Sequence, residues 1–155
     1  MLSKDKILLQ NTISESQVQE IAEKYCIAFK EHQLNADQEL EYGQMLLQSP
    51  FEQDHLTAIQ VFNEVIRFRR MDPAMTLEFY VGLIIGYIKI KDLDQAKNIL
   101  ETCRQRNSFN VEQLERLEMI EKWIKNRNQS FFWGAVTFAA GIAAIALMSA
   151  MGKKQ

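Results

Sequence analysis

Residues Phe131 to Gly152 run for 22 positions without a charge, and no other feature narrows the chain's possible architectures as much. Seventeen of the 22 are apolar; the others are three Gly, Thr137 and Ser149. As a helix the run would span about 33 Å, close to the roughly 30 Å hydrocarbon core of a bilayer. Phe131 and Trp133 stand at its near edge, where aromatic rings suit the headgroup region. Gly141 and Leu147 lie within it, and Lys153 and Lys154 follow in a basic tail, 153–155. A core helix of this length normally carries a polar stripe, and this one has none. The expectation is a single C-terminal transmembrane anchor over 131–152.

Three residues follow the run, so insertion is expected after synthesis, with the rest of the chain in the cytosol. The opening MLSKDKILLQ lacks the apolar run and cleavage site of a secretory signal. Seven Ala make the anchor only moderately apolar. With lysines as its targeting tail, it fits a mitochondrial or peroxisomal surface better than the secretory pathway. Ala135, Ala139 and Ala143 form a small-residue row that lets membrane helices approach, which leaves a homo-oligomer open. Asn128-Gln129-Ser130 has the form of a glycosylation sequon, read here as a chance match on a cytosolic domain.

The charge balance changes once the anchor is set apart. The first 130 residues hold 16 of the 18 basic side chains and all 20 acidic ones, net −4. That argues against nucleic acid as a partner, which calls for an excess of Lys and Arg. Two Cys make no disulfide framework.

Helix signals fill the domain. Ser14/Gln17, Asn35/Gln38, Asp92/Gln95 and Asn110/Gln113 are capping boxes or near variants. Asp72-Pro73 is an N-cap followed by Pro at the first helical position, and Pro50 forces a break after Ser49. The reading is an arm over 1–13 and a domain over 14–130 with six helices, near 14–32, 36–49, 54–70, 73–90, 93–106 and 111–128. Apolar residues recur at helical spacing: Leu56, Ile59, Phe62, Val65 and Ile66 in one helix, Val111, Leu114, Leu117, Ile120 and Ile124 in another. Arg116 and its charged neighbours read as the solvated face of the latter. From Phe79 to Ile88 the chain is apolar on every side, which predicts a central helix covered all round. Gly82 and Gly86 within it predict the close approach of a neighbouring helix.

Short helix pairs suggest a repeat. The segment 78–103 fits a tetratricopeptide repeat: Tyr80, Leu83, Gly86 and Tyr87 on the first helix, Ala96 at the crossing, Leu100 and Cys103 on the second. A weaker copy over 39–65 places Tyr42, Leu46, Ala58, Phe62 and Val65 alike. Ala58 and Ala96 are 38 residues apart, so Arg69–Ala74 carries extra residues. Ile84 stands where Gly is common and Ser108 where Pro is common. The fold class is therefore all-α, a six-helix tetratricopeptide-like bundle followed by one transmembrane helix.

The order of these parts resembles the mitochondrial fission 1 protein family, tail-anchored adaptors with two tetratricopeptide-like repeats. Leu40-Glu41-Tyr42-Gly43, with Leu46 and Ser49, looks like that family's first-repeat opening, although Gly43 and Gln44 replace its Ala-Trp. Phe79-Tyr80 through Gly86, then Lys91-Asp92-Leu93-Asp94-Gln95-Ala96, looks like the second-repeat signature, and Leu114-Glu115-Arg116-Leu117 like the stretch before the anchor. The resemblance implies an adaptor on the cytosolic face of the outer mitochondrial membrane, and often of peroxisomes. Such adaptors recruit a dynamin-related GTPase, directly or through adaptor proteins.

Counting along the repeats puts Leu40, Gly43 and Leu47, then Val81, Ile85 and Ile88, on a concave surface edged by Glu78 and Lys89. An apolar groove of that kind suits an amphipathic helix or an extended peptide. Leu2, Ile7, Leu8 and Leu9 of the arm are candidates to cover it. A docking receptor for chaperone or import clients is the alternative, but those line their grooves with Lys, Arg and Asn. A fusion helix needs more unbroken heptads than 111–128 supplies, and a pore-forming bundle needs a central apolar hairpin.

Catalytic motifs are missing: no phosphate-binding Gly loop, CxxC or HExxH. The expectation is no enzyme, no cofactor and no metal. His32 and His55 read as surface or helix-end residues, and Cys26 and Cys103 as core thiols. Arg67-Phe68-Arg69-Arg70 reads first as positive charge opposing a helix dipole, with acidic lipid or partner contact as the alternative.

Overall fold

The computed structural model describes residues 4–106 and 109–127. Leu2, Ser108, the sequon at 128–130, the anchor residues Phe131, Trp133, Gly141 and Leu147, and the tail lysines Lys153 and Lys154 lie outside the described residues. Among the described residues no helix is long and apolar enough to cross a membrane.

Seven helices and no strand make up the described chain. They are α1 (Lys4–Leu8), α2 (Glu15–Lys30), α3 (Ala36–Leu47), α4 (Glu52–Phe68), α5 (Pro73–Lys89), α6 (Leu93–Arg106) and α7 (111–127). Six match the helices expected from the caps and periodicity. The seventh, α1, lies inside the segment read as an arm.

Four of the starts are set by the predicted caps. Asn35 and Gln38 exchange both hydrogen bonds of a capping box, and so do Asn110 and Gln113. Asp72 Oδ1 accepts from the Met75 amide at 2.8 Å, and Asp92 Oδ1 from the Gln95 amide at 3.1 Å. Ser14 makes half a box: Gln17 Oε1 accepts from the Ser14 amide, while the Gln17 amide goes to the Ser14 carbonyl instead. Two helices end on left-handed residues other than Gly, His32 (φ 54°) and Lys91 (φ 66°). Beyond each, an amide reaches back five residues, Gln33 to Ala28 and Asp92 to Tyr87, closing orphan carbonyls as a Schellman turn does.

The helices stack in chain order, α3 on α4, α4 on α5, α5 on α6. Their common seam is apolar and close. A Cβ built on Gly43 would stand 2.3 Å from Phe62 Cε1, and one on Gly82 would stand 2.8 Å from the same ring. The Phe62 ring of α4 therefore lies against bare backbone of both α3 and α5. It also meets Phe79 edge-on, with centroids 5.8 Å apart at 81°. A Cβ on Gly86 would come within 2.7 Å of Ile59 Cγ1. The close approach expected at Gly82 and Gly86 is thus made by α4. Gly43 was expected on the concave surface; it sits under Phe62 instead, because only a residue without a side chain admits the ring there.

Ala58, Leu83, Ala96, Leu100, Leu46 and Cys103 are buried in this core with Tyr80, and Tyr87 packs partly buried against it. Burial pushes the Cys103 thiol up to about 12, so it stays protonated at neutral pH. Tyr42 does something different: its ring stacks on Tyr25 of α2, with centroids 3.9 Å apart. That contact helps seat α2, a helix with no fully buried residue, on α3. Cys26 is accordingly exposed rather than a core thiol. Leu56, Val111 and Leu114, all in the first turns of their helices, are likewise exposed.

Candidate functional site

The candidate groove residues Leu40, Leu47, Val81, Ile85 and Ile88 are all buried in the apolar core rather than open on a concave surface. α1 packs against both α5 and α3, and Leu8 joins the same apolar cluster at 3% exposure. Leu9 packs against the cluster part-buried, whereas Ile7 points to solvent at 39% exposure. Among the described arm residues expected to cover the groove, Ile7, Leu8 and Leu9, only Leu8 is fully buried.

Charge fastens each end of α1. At its start, the Arg116 guanidinium of α7 forks between two carboxylates. Its Nε and Nη2 donate to Asp5 Oδ2 and Oδ1, both at 2.7 Å. Its Nη1 and Nη2 donate to Glu78 Oε1 and Oε2, at 2.7 and 3.1 Å. Lys4 Nζ adds a longer contact to Glu78 at 3.4 Å. Asp5 is 3% exposed, so its carboxylate depends on this pairing. Bidentate guanidinium–carboxylate geometry is among the stronger polar contacts available to a protein. Burial works against the charge on Arg116, but Asp5 and Glu78 outweigh it and raise its pKa above the ordinary value. Burial likewise acts against ionised Glu78, yet Arg116 and Lys4 bring its pKa below 4.5.

At the other end, Lys89 closes α5 and reaches under the arm. Its ammonium donates to Asn11 Oδ1 at 2.8 Å, to the Gln10 carbonyl at 3.3 Å and to the Leu8 carbonyl at 3.4 Å. It also donates to the Leu47 carbonyl at the end of α3. Burial draws its pKa down to about 8, and the charge of Arg127 acts the same way. The arm then returns along α3, where the Ile13 amide meets the Gln48 carbonyl and Thr12 Oγ1 donates to Gln48 Oε1.

Glu78 and Lys89 were expected as the charged edges of the groove, and the structure places them at the two fastenings. Asp5 and Arg116 were not expected there. Arg116 read as solvated face; in the fold it turns toward α5 and α1, with a side chain 21% exposed. The available signal was an acidic residue, Asp5, inside an otherwise basic and apolar arm.

Other polar groups take structural roles. Arg69 ties the end of α4 to the start of α3: its Nε lies 2.6 Å from Glu39 Oε2, and its Nη2 donates to the Leu34 carbonyl. Arg67 lies over the exposed Phe68 ring, 5.2 Å from its centroid. His55, read as a surface or helix-end residue, lies in the first turn of α4 but is buried, at 6% exposure. Its Nε2 meets the Ser49 carbonyl at 2.8 Å, and its buried Nδ1 has no partner. Burial lowers its pKa, although the Ser49 carbonyl opposes the shift. Ser49 Oγ donates to Asp54. Ser, His and Asp are neighbours here, but the ring faces a carbonyl rather than the hydroxyl, so no base activates a nucleophile. Among the described residues no group of His, Cys, Asp and Glu could hold a metal ion.

No family model matches the chain, and no curated protein matches it. Solved structures do. Yeast Fis1 in complex with an Mdv1 fragment, containing that protein's N-terminal extension and coiled-coil domains, is similar at a TM-score of 0.60 and 14% identity. The match covers 77% of this chain and 91% of that one. The fission protein Fis1 from Saccharomyces cerevisiae is similar at a TM-score of 0.60 and 14% identity, covering 85% of this chain and 98% of that one. The chain thus has a Fis1-like helical-repeat fold.

Proposed function

We propose that the chain is a tail-anchored adaptor for organelle fission, held at the outer mitochondrial membrane by residues 131–152 with its helical domain in the cytosol. The domain recruits a dynamin-related GTPase, directly or through an adaptor protein, and any GTP hydrolysis belongs to that partner. Peroxisomal membranes are a second site of action for the same anchor. The observation that carries this reading is α1 packed on α5 and α3 of a Fis1-like helical stack, with Leu8 buried in their apolar cluster. A surface that holds one short helix suits the docking of another. The charge-free run of 22 residues after the domain supplies the membrane attachment. The partner of the yeast Fis1 complex, an Mdv1 fragment, supports an adaptor protein as the immediate partner class.

Here the arm is a gate. Partner residues on the groove, Leu40, Leu47, Val81, Ile85 and Ile88 with Glu78 and Lys89 at the ends, become available when α1 leaves. The test is imaging of a tagged chain with and without residues 131–155, with organelle length scored after depletion. The reading predicts a mitochondrial outline that becomes diffuse on truncation, and elongated organelles on depletion. Unchanged organelles, with the protein elsewhere, would overturn it.

A further inference from the structure

The way α1 is held describes the segment that could replace it. Its two anchors are a carboxylate, Asp5, and a leucine, Leu8, three residues apart on a helix and therefore on one face. Removing Asp5 leaves the Arg116 guanidinium with Glu78 alone and orphans two of its donor contacts in a part-buried site. Removing the arm also strips Lys89 of three oxygens, leaving it the Leu47 carbonyl. Glu78 and Lys89 are eleven residues apart on one helix, about 16 Å. The bared surface thus has a carboxylate-seeking end, an apolar socket and a carbonyl-seeking end, in that order along α5.

The order also sets a direction. The arm's first residues meet Glu78 and Arg116, and its last carbonyls meet Lys89, so α1 runs the same way as α5. A cavity of about 460 Å³ remains beside the carboxylate end, lined by Lys4, Asp5, Leu77, Glu78, Arg116 and Met119 among others.

We propose that the groove selects a partner segment bearing a carboxylate three residues before a leucine on a short helix, docked parallel to α5. The carboxylate takes the place of Asp5 on Arg116, the leucine takes the place of Leu8, and the helix's last carbonyls cap on Lys89. This rests on reading the groove as a docking surface, and it adds the chemistry of what docks.

The test uses the full chain in neutral detergent micelles, as wild type and as Leu8→Ala, with the fluorescent octapeptide Lys-Asp-Lys-Ile-Leu-Leu-Gln-Asn as probe. Anisotropy should show binding to Leu8→Ala at least about tenfold tighter than to wild type, whose arm competes. A peptide with Asn for Asp should bind Leu8→Ala about tenfold more weakly, the usual scale for losing a hydrogen-bonded charge partner. In Leu8→Ala/Arg116→Lys, which keeps the charge but not the fork, that preference should shrink to about threefold or less. Equal binding of the Asp and Asn peptides, or no binding, would overturn the proposal. So would a concentration-dependent dimer of Leu8→Ala by light scattering, which would make a second copy's arm the occupant. The peptide result stands apart from organelle morphology: binding as stated with unchanged organelles would reject the fission reading and keep the docking chemistry, and the reverse outcome would do the opposite.

Discussion

α5 is gripped on two sides by different physics. Along α4 it is held by shape: Phe62 against the bare backbone of Gly43 and Gly82, Ile59 against Gly86, with no charge involved. Along α1 it is held by charge at both ends and by a single buried leucine between them. Contacts of the first kind form only when every atom fits, and they fail with the whole core. Contacts of the second kind can be exchanged one for one with another carboxylate and another leucine.

The largest effect is expected on the α4 side. Phe62→Ala should destabilise the domain by about 3–5 kcal/mol in urea unfolding, since it empties the space between two glycines. A loss under 1 kcal/mol would mean that the seam collapses easily, against the account. Gly82→Val, which drives a branched side chain into the same ring, should lose about 1–3 kcal/mol.

On the charge side the effect should be local. Arg116→Gln orphans Asp5 and weakens the hold on Glu78, a loss of about 1–3 kcal/mol at the arm and at the contact of α7 with the start of α5. Amide exchange at residues 5–8 should rise while exchange at 79–85 stays protected; equal rises in both would erase the distinction between the two sides.

Acid acts through Glu78. Burial works against its charge, but Arg116 of α7 and, less, Lys4 of the arm hold its folded pKa below the ordinary 4.5, so the folded domain binds fewer protons than the unfolded chain. That contribution is fully present above 4.5 and is lost as the pH falls through the lowered value. Urea unfolding should show stability declining below about pH 4.5, and Arg116→Gln should flatten the decline. His55 acts elsewhere: its pKa is lowered by burial, so its share of stability is present above about 6.5 and declines as pH falls below that. His55→Gln should flatten global stability between pH 6.5 and 5 without touching arm mobility. The smallest effect is expected at Lys91, left-handed at the end of α5: Lys91→Gly should add about 0.5–1 kcal/mol and change neither side.

What could be read in advance follows the same division. The capping residues Asn35, Asp72, Asp92 and Asn110 mark helix starts because the interaction is local, three residues long, and visible in one dimension. Gly82 and Gly86 announced a close approach, though not that Phe62 and Ile59 would make it, because which side chain fills a gap depends on the packing of all the helices. Gly43 went to the groove on repeat counting, and a ring from the next helix claimed it. Arg116 was least legible. Its neighbours are charged and exposed, and only the return of a chain segment more than a hundred residues earlier turns it inward. Long-range ion pairs leave no periodic trace.

Whether the arm is a gate is measured directly by the amount of dynamin-related GTPase recruited to mitochondria in cells whose only copy is the full chain or residues 13–155, at matched levels. Freeing Arg116, Lys89 and the Leu8 socket should increase recruitment several-fold in the shortened chain, and Arg116→Lys should reduce that gain. Equal or lower recruitment without the arm, with the domain still folded and still at the membrane, would contradict it.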